Sequence, residues 1–483
     1  MNHPRGLRTL FFTEMWERFS YYGMRALLVL FMTAEIQRGG LGLNDKVATA
    51  IYGLYVAGVY LSALPGGWIA DRLLGAQQAL IAGGVLIALG HFSLALPSIK
   101  FFYLGLVLVV LGTGLLKPNI SALVGQLYPE GGARRDAGFT IFYMGINLGA
   151  ALGPLACGSL GERVNWHYGF GAAGLGMVLG LIQFQFTRKH LGPIGLVPAH
   201  RGSATQQDWK SLFVAVGAIA VVLALTFSGV LPVNPLQLAR WTTVLIVGVA
   251  VLYFLWAFFL AGLELAEKKR MGVIAILFVA AALFWSGYEQ AGSSLNLFAE
   301  RYTQRTFGAM ASPVPASWFQ SLPAIFVIVF APVVAAVWIR MAKHGRNPSL
   351  GTKMGWGLMF LAIGFLVVAF ASKRALATGP VWPSWLVFTY LLHVLGELLI
   401  SPVGLSSVTK LAPQRLVGQM MGIWFLGASL GNLIAGLFAG EVSGDNAAAM
   451  PARFFQVVLF AGGVGLILLL CSKRIRRLMP GVE

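Results

Sequence analysis

The first apolar run of the sequence carries four ionisable side chains, those of Glu14, Glu17, Arg18 and Arg25. Each such group costs roughly 2.5–3.5 kcal/mol at the centre of a membrane helix. Their spacing follows the i, i+3/i+4, i+7 rule, which predicts that they share one face of a helix. Such a face must point at other protein or at water. The chemistry open to it is proton transfer by the carboxylates and binding of an anionic group by the arginines.

Three more ionisable residues, Lys117, Glu289 and Glu397, lie well inside later apolar runs. Intramembrane charges of this kind usually pair with one another. Counted from the inner ends of their spans at about 1.5 Å per residue, Arg25 and Glu289 reach the same level in the outer half. We therefore predict a salt bridge between Arg25 and Glu289, which joins the two halves of the protein when its outer gate is closed.

The inner half of the first span is predicted to take up and release a proton. Lys117 enters its span from the outside and reaches the level of Glu14 and Glu17. A cation beside two carboxylates influences how readily they hold a proton. The predicted proton-coupling residues are Glu14, Glu17, Arg18, Lys117 and Glu289.

These residues belong to a chain whose composition is typical of a membrane protein. Of its 483 residues, 57% are hydrophobic and only 11% are charged. Apolar runs of about 18–25 residues recur from end to end, and each can cross a hydrocarbon core of about 30 Å. We predict an all-α polytopic membrane protein with fourteen spans. The spans cover 9–32, 47–70, 76–96, 101–126, 137–160, 168–187, 211–231, 240–263, 272–297, 317–340, 353–371, 384–403, 416–440 and 454–472.

Fourteen spans divide into groups of six, two and six. An N-terminal six-helix bundle covers 1–187, a linker with two additional transmembrane helices covers 188–271, and a C-terminal six-helix bundle covers 272–483. Two six-helix halves with a binding site at the midplane are a known plan of secondary transporters. Of the 35 Lys and Arg residues, 22 fall in segments on the side of the N-terminus and 10 on the opposite side. This bias predicts that both termini are cytoplasmic.

Other function classes are disfavoured by the same sequence. The net charge of +18 is spread over short loops that set membrane orientation, so nucleic-acid binding is not expected. Cys157 and Cys471 lie in different halves and predict neither a disulfide nor a metal site. The first run is a retained helix rather than a signal peptide, because charges interrupt it. No G-x-x-x-x-G-K-[ST] loop occurs, so we expect no ATP and no cofactor, with protons as the coupling ion.

Two groups of motifs resemble known transporters. The segment Gly67–Gly75, GWIADRLLG, resembles the G-x-x-A-D-R-x-x-G loop of the major facilitator superfamily. The E-x-x-E-R motif at Glu14–Arg18, followed by FSYYGMR at 19–25, resembles the proton-dependent oligopeptide transporter family. Further stretches similar to that family are Leu115–Asn119, Phe142–Gly149, Trp285–Gln290 and Gly396–Pro402. The resemblance implies a major facilitator superfamily fold, proton-coupled peptide transport and the same Arg25–Glu289 pair.

The intramembrane charges also predict the kind of solute. Two cations in one half, Arg25 and Lys117, and a lone carboxylate in the other, Glu397, form a dipole. A short peptide fits this dipole because its ammonium and carboxylate groups are several ångströms apart. Amide groups and aromatic walls with polar tips suit a promiscuous site. The predicted peptide-binding residues are Arg25, Tyr22, Tyr60, Lys117, Asn147, Trp285, Glu397 and Trp424.

Two positions depart from the family pattern. Tyr288 stands where the family often has a second glutamate, and Pro323 stands where many members have asparagine. Proline cannot bind a ligand through an amide side chain. Recognition of the amine end is therefore expected to depend more on Asn147 and Glu397.

The sequence as a whole predicts a symporter that imports di- and tripeptides with protons by alternating access. We expect an integral protein of the bacterial inner membrane that functions as a monomer, with peptides, protons and the lipid bilayer as its partners. A related transporter of nitrate or another small anion stays open, and it would leave Glu397 idle. An enzyme or a receptor is disfavoured, because the seven histidines are scattered and form no metal cluster or nucleophile–base pair.

Overall fold

The computed structural model describes residues 3–198, 206–308, 312–346, 348–442 and 447–479, and over these residues the chain is helical without a β-strand. A single isolated bridge joins Thr303 and Val381 within this part of the chain. The helices are α1 (Arg5–Thr33), α2 (Asp45–Ile69), α3 (Ala76–Leu94), α4 (Ile99–Gln126), α5 (Gly132–Arg163), α6 (Trp166–Thr187), α7 (Gln206–Phe227), α8 (Pro235–Phe259), α9 (Leu265–Tyr288), α10 (Ser294–Tyr302), α11 (Leu322–Lys343), α12 (Leu350–Thr378), α13 (Ser384–Leu411), α14 (Val417–Val442) and α15 (Met450–Arg477).

The all-α polytopic architecture predicted from the sequence is confirmed. Among the described residues, thirteen helical runs are long and apolar enough to cross a membrane. Helix α1 has 29 residues and is also long enough, but its charged face lowers its mean hydropathy. The predicted fourteen spans thus correspond to α1 and these thirteen runs.

The ninth predicted span is not one continuous helix. Helix α9 ends at Tyr288, a 3-10 turn covers Glu289–Gly292, and α10 begins at Ser294. Side chains satisfy polar groups at the break, since Ser294 Oγ donates to Gln290 Oε1 at 2.8 Å and Gln320 Nε2 donates to the Ala291 carbonyl. Non-helical backbone within a membrane protein requires such partners. The break places Glu289 at a helix end rather than in a helix interior.

The chain folds into two compact units. The first comprises Met1–Gly42 and Gly58–Asn234, and the second comprises Leu43–Ala57 and Pro235–Glu483. Helix α2 therefore begins in the second unit and ends in the first. The three-part division at 187 and 271 stays a prediction.

Glycines let helices of the first unit approach closely. Gly83 of α3 faces Gly112 of α4, and a Cβ on either would lie 2.6 Å from the carbonyl oxygen of the other. Gly149 of α5 lies against the backbone of α1, and a Cβ there would collide with Met15. Membrane helices associate through small residues of this kind. The hydrophobic effect does not drive helices together in lipid, so close packing of their backbones stabilises the contact instead. Helix α5 thereby holds α1, which carries the polar face predicted from the sequence.

The second unit contains an ion pair that the sequence analysis does not predict. Arg301 of α10 donates through Nη1 to Asp45 Oδ2 at 2.7 Å and through Nη2 to Asp45 Oδ1 at 3.0 Å. Asp45 is 8% exposed, and it lies in the first turn of α2. Bidentate pairs are the strongest arrangement of arginine and carboxylate. This pair fixes the first turn of α2 to α10.

We expect the Asp45–Arg301 pair to couple in a double-mutant cycle. Asp45→Asn, Arg301→Gln and the double variant should give a coupling of about 1–2 kcal/mol in the free energy of unfolding, because both hydrogen bonds are charge-assisted but the arginine is partly exposed. Unfolding is measured by denaturant titration in detergent. The matched control is Lys46–Glu441, at 3.2 Å with side chains 48% and 41% exposed, where the coupling should stay below about 0.5 kcal/mol. Additive effects at Asp45 and Arg301 would contradict the prediction.

Candidate transport site

The polar face of α1 holds a compact ion cluster in the first unit. Arg18 Nε donates to Glu14 Oε1 at 2.7 Å, one helical turn away. The same nitrogen lies 2.9 Å from Glu17 Oε2. The exposed fractions are 2% for Glu14, 0% for Glu17 and 5% for Arg18. The structure thus brings together three of the residues that the sequence assigns to proton coupling.

Glu17 is the least satisfied member of this cluster. The Nε hydrogen of Arg18 is directed at Glu14, and neither oxygen of Glu17 forms a hydrogen bond with any residue that the structure describes. A buried carboxylate without hydrogen bonds raises the free energy of the protein, and uptake of a proton removes its charge. Glu17 is therefore the position in this cluster best suited to exchange a proton.

Two predicted cations of the first unit lie over aromatic rings. Lys117 Nζ lies 4.3 Å from the ring centroid of Tyr60, and Arg25 Cζ lies 5.6 Å from that of Tyr22. Such contacts attract a desolvated cation to the face of the ring. Lys117 also lies within the electrostatic reach of Glu17. The aromatic residues predicted for peptide binding here hold the two cations.

Asn147 is a buried residue of α5. Its Nδ2 donates to the carbonyl oxygen of Tyr143 at 2.9 Å, one turn earlier in the same helix. This bond engages one amide hydrogen, and the side-chain oxygen is the atom that could accept a hydrogen bond from an ammonium group. The contact of Asn147 with a peptide stays a prediction.

In the second unit, Glu397 of α13 is paired with a residue that the predicted site omits. The hydroxyl of Tyr288, the last residue of α9, donates to Glu397 Oε2. The Tyr288 ring stacks on Phe284 with centroids 5.5 Å apart, and it meets Trp285 edge to face at 5.4 Å. This packing fixes the direction of the hydroxyl. The predicted binding residue Trp285 therefore supports the position of Glu397 through Tyr288.

Glu289 and Trp424 occupy buried positions in the same unit. Glu289 is 3% exposed and begins the 3-10 turn after α9. It lies within the electrostatic reach of Glu397. The Trp424 ring lies over Gly404 of α13, where a Cβ would collide with the ring. The packing of α14 on α13 therefore sets the position of Trp424.

The predicted site residues are divided between the two units. Those of the first unit are Glu14, Glu17, Arg18, Tyr22, Arg25, Tyr60, Lys117 and Asn147. Those of the second unit are Trp285, Glu289, Glu397 and Trp424. The gate salt bridge between Arg25 and Glu289 would join residues of different units, and it stays a prediction.

Two polar contacts inside the spans are absent from the predictions made from the sequence. Tyr288 and its partner Glu397 are 109 positions apart. Ser20 of α1 pairs with the buried His91 of α3, with Oγ and Nε2 2.8 Å apart. The available signal at Ser20 was its spacing, since it lies three residues after Glu17 on the polar face of α1.

Buried ion pairs, and cations held over aromatic rings, in a protein whose helices are long and apolar enough to span a membrane are typical of a secondary transporter. The chain belongs to the POT family, whose family model matches residues 77–450. This finding confirms the family predicted from the sequence.

Named relatives and a solved structure agree with this membership. The chain is 43% identical to the peptide transporter YePEPT of Yersinia enterocolitica, covering 100% of this chain and 96% of the relative. It is 37% identical to a di-/tripeptide transporter of Lactococcus lactis subsp. cremoris, covering 99% and 97%. The crystal structure of a mutant peptide transporter POT in complex with sulfate superposes with a TM-score of 0.91, at 42% identity over 100% of this chain and 97% of that one. The major facilitator superfamily fold is thereby confirmed.

Proposed function

We propose that this protein is a proton-coupled symporter that imports di- and tripeptides by alternating access. Its place is the bacterial inner membrane, with both termini in the cytoplasm. One observation supports the proton coupling. The carboxylate of Glu17 lies beside Arg18, is fully buried and accepts no hydrogen bond from the described residues. Membership of the POT family and the names of the similar transporters support the peptide cargo.

Proton coupling follows from the ion cluster on α1. When Glu17 carries a proton, Arg18 is left with Glu14 as its carboxylate partner. When Glu17 is ionised, Arg18 and Lys117 both act on its charge. The two protonation states therefore place different electrostatic demands on α1 and α4, and a proton can bias the conformational equilibrium of the transporter.

Peptide recognition follows from charges held at fixed positions. Arg25 and Lys117 are suited to the peptide carboxylate, since each is presented on an aromatic ring. Glu397 is suited to the peptide ammonium, since Tyr288 holds one of its oxygens and leaves the other as an acceptor. Arg25 has the further proposed role of a gate partner for Glu289. This arrangement needs neither a cofactor nor an enzymatic step, and we propose that a monomer suffices.

The cargo is tested by competition in proteoliposomes. With an inward acid gradient, a labelled dipeptide should accumulate, and unlabelled di- and tripeptides should compete while a free amino acid and nitrate should not. Accumulation without the gradient would contradict proton coupling. Competition by nitrate without competition by peptides would replace the peptide assignment with transport of a small anion.

A further inference from the structure

A basic cavity lies at one end of the second unit, and its lining includes neither Glu397 nor Trp285. It has a volume of about 500 Å³ and lies where α11, α13 and α15 end and α12 begins. Its lining includes Lys353 of α12, Lys410 of α13 and Arg476 of α15. The described lining residues include no carboxylate. Three cations from three helices thus share one concave surface.

The N-terminus of α12 adds to the positive potential of this cavity. Helix N-termini carry a partial positive charge, so a lysine in the first turn is placed unfavourably unless an anion is present. Lys353 occupies that turn, within the electrostatic reach of Lys410. Ser349 caps the helix by accepting a hydrogen bond from the Thr352 amide, and it lines the cavity with Ser406 and Ser407. Hydroxyl groups and cations together match the oxygens of a phosphate group.

The surroundings of the cavity favour a lipid over a soluble anion. Trp338 of α11 forms one wall, and Lys353 Nζ lies 4.5 Å from its ring centroid. On the same helix, Val329, Val333 and Val337 lie four residues apart on one face and are exposed by 53%, 52% and 50%. Tryptophan is enriched at the membrane–water interface, and basic pockets between membrane helices bind anionic headgroups. Acyl chains can therefore follow α11 directly from the cavity.

We propose that this cavity binds the phosphate headgroup of an anionic phospholipid, with the acyl chains along the exposed apolar face of α11. The site is separate from the residues proposed to bind the peptide and the proton. The proposal requires these helices to span a membrane and does not depend on the identity of the cargo.

Native mass spectrometry of the full chain tests the proposal. Purified protein in detergent is mixed with phosphatidylglycerol and phosphatidylcholine of identical acyl chains. The wild type should retain phosphatidylglycerol in preference. Lys353→Gln with Lys410→Gln should lower that preference at least about fivefold, because the variant removes two cations and the loss of even one near an anionic headgroup accounts for about that factor. The control variant, Lys343→Gln with Arg346→Gln, removes the same charge near the end of α11 outside the lining and should keep the preference.

The remaining outcomes separate the alternatives. Equal loss in the control variant would mean that bulk charge alone attracts the lipid, and it would overturn the proposal. Displacement of phosphatidylglycerol by a large excess of inorganic phosphate would replace the lipid with a small anion as the occupant. Lys410 is exposed at a helix end, so Lys410→Gln alone is the second variant. This variant is the test if the double variant fails to fold. It should also lower the preference for phosphatidylglycerol, and an unchanged preference would contradict the proposal.

Discussion

Replacing Glu17 with glutamine is expected to abolish accumulation of a peptide against its gradient while leaving peptide exchange intact. Glutamine preserves the size of the side chain but cannot take up a proton. Since neither oxygen of Glu17 has a hydrogen-bond partner among the described residues, the substitution removes no such bond. Gradient-driven accumulation should fall below about a tenth of the wild type, as expected for the loss of an intramembrane proton carrier.

The measurement compares two modes of transport in the same proteoliposomes. Uptake driven by an inward acid gradient reports proton coupling, whereas counterflow of labelled against unlabelled dipeptide needs no net proton movement. Glu130→Gln is the matched control, because Glu130 lies in a loop of the same unit and pairs with Arg134 at the surface. It should leave both modes unchanged. Equal loss of both modes in Glu17→Gln would indicate damage to peptide binding or folding and would contradict a specific role in coupling.

Glu14 provides a second comparison on the same helix. Its Oε1 accepts the Arg18 hydrogen bond at 2.7 Å, so Glu14→Gln keeps an acceptor but removes a charge from a buried pair. We expect this variant to lower both uptake and exchange, because Arg18 would then have Glu17 as its sole carboxylate partner in the cluster. Different behaviour of the two variants would separate the proton carrier from the residue that positions Arg18.

The polar face of α1 could be predicted from the sequence because helical periodicity is local. Residues three and four positions apart must lie together on a helix, so the Glu14–Arg18 contact follows once the segment is helical. The same reasoning reached the number of spans and most of their approximate positions. It could not give the hydrogen bonding of Glu17, since that depends on the directions of side chains rather than on their spacing.

The helix break at Glu289 could not be predicted from apolar run length. The predicted span of 272–297 continues through the break, and one of the polar partners that permit the break comes from elsewhere in the chain, since Gln320 donates to the Ala291 carbonyl. Asp45 and Arg301 illustrate the same limit, because they are 256 positions apart. Pairing at such a separation is set by tertiary packing. A charge at a span end carries no sequence signal that identifies its partner.

Replacing Glu397 with glutamine is expected to raise the KM for a dipeptide at least about tenfold. The reason is that the variant loses a charge-assisted hydrogen bond to the ammonium group of the peptide. Tyr288→Phe should have a smaller effect of about two- to tenfold, because it removes one neutral donor and leaves the carboxylate in place. The order of the two effects distinguishes a residue that contacts the peptide from one that positions it. Uptake of the dipeptide is measured at saturating acid gradient, so that proton supply does not limit either variant.

The nature of the cargo can be read from the same variants. Glu441 is a suitable control, since it belongs to the second unit and its partners are Lys46 and Arg453. Glu441→Gln should leave the KM unchanged. A dipeptide whose amine is acetylated has no ammonium group, so its weak uptake should not fall further in Glu397→Gln. If Glu397→Gln left uptake of the free dipeptide intact, the carboxylate would be idle, as expected for an anion transporter. Loss that is confined to substrates with a free amine requires the negative charge of Glu397 to face the amine end of the peptide.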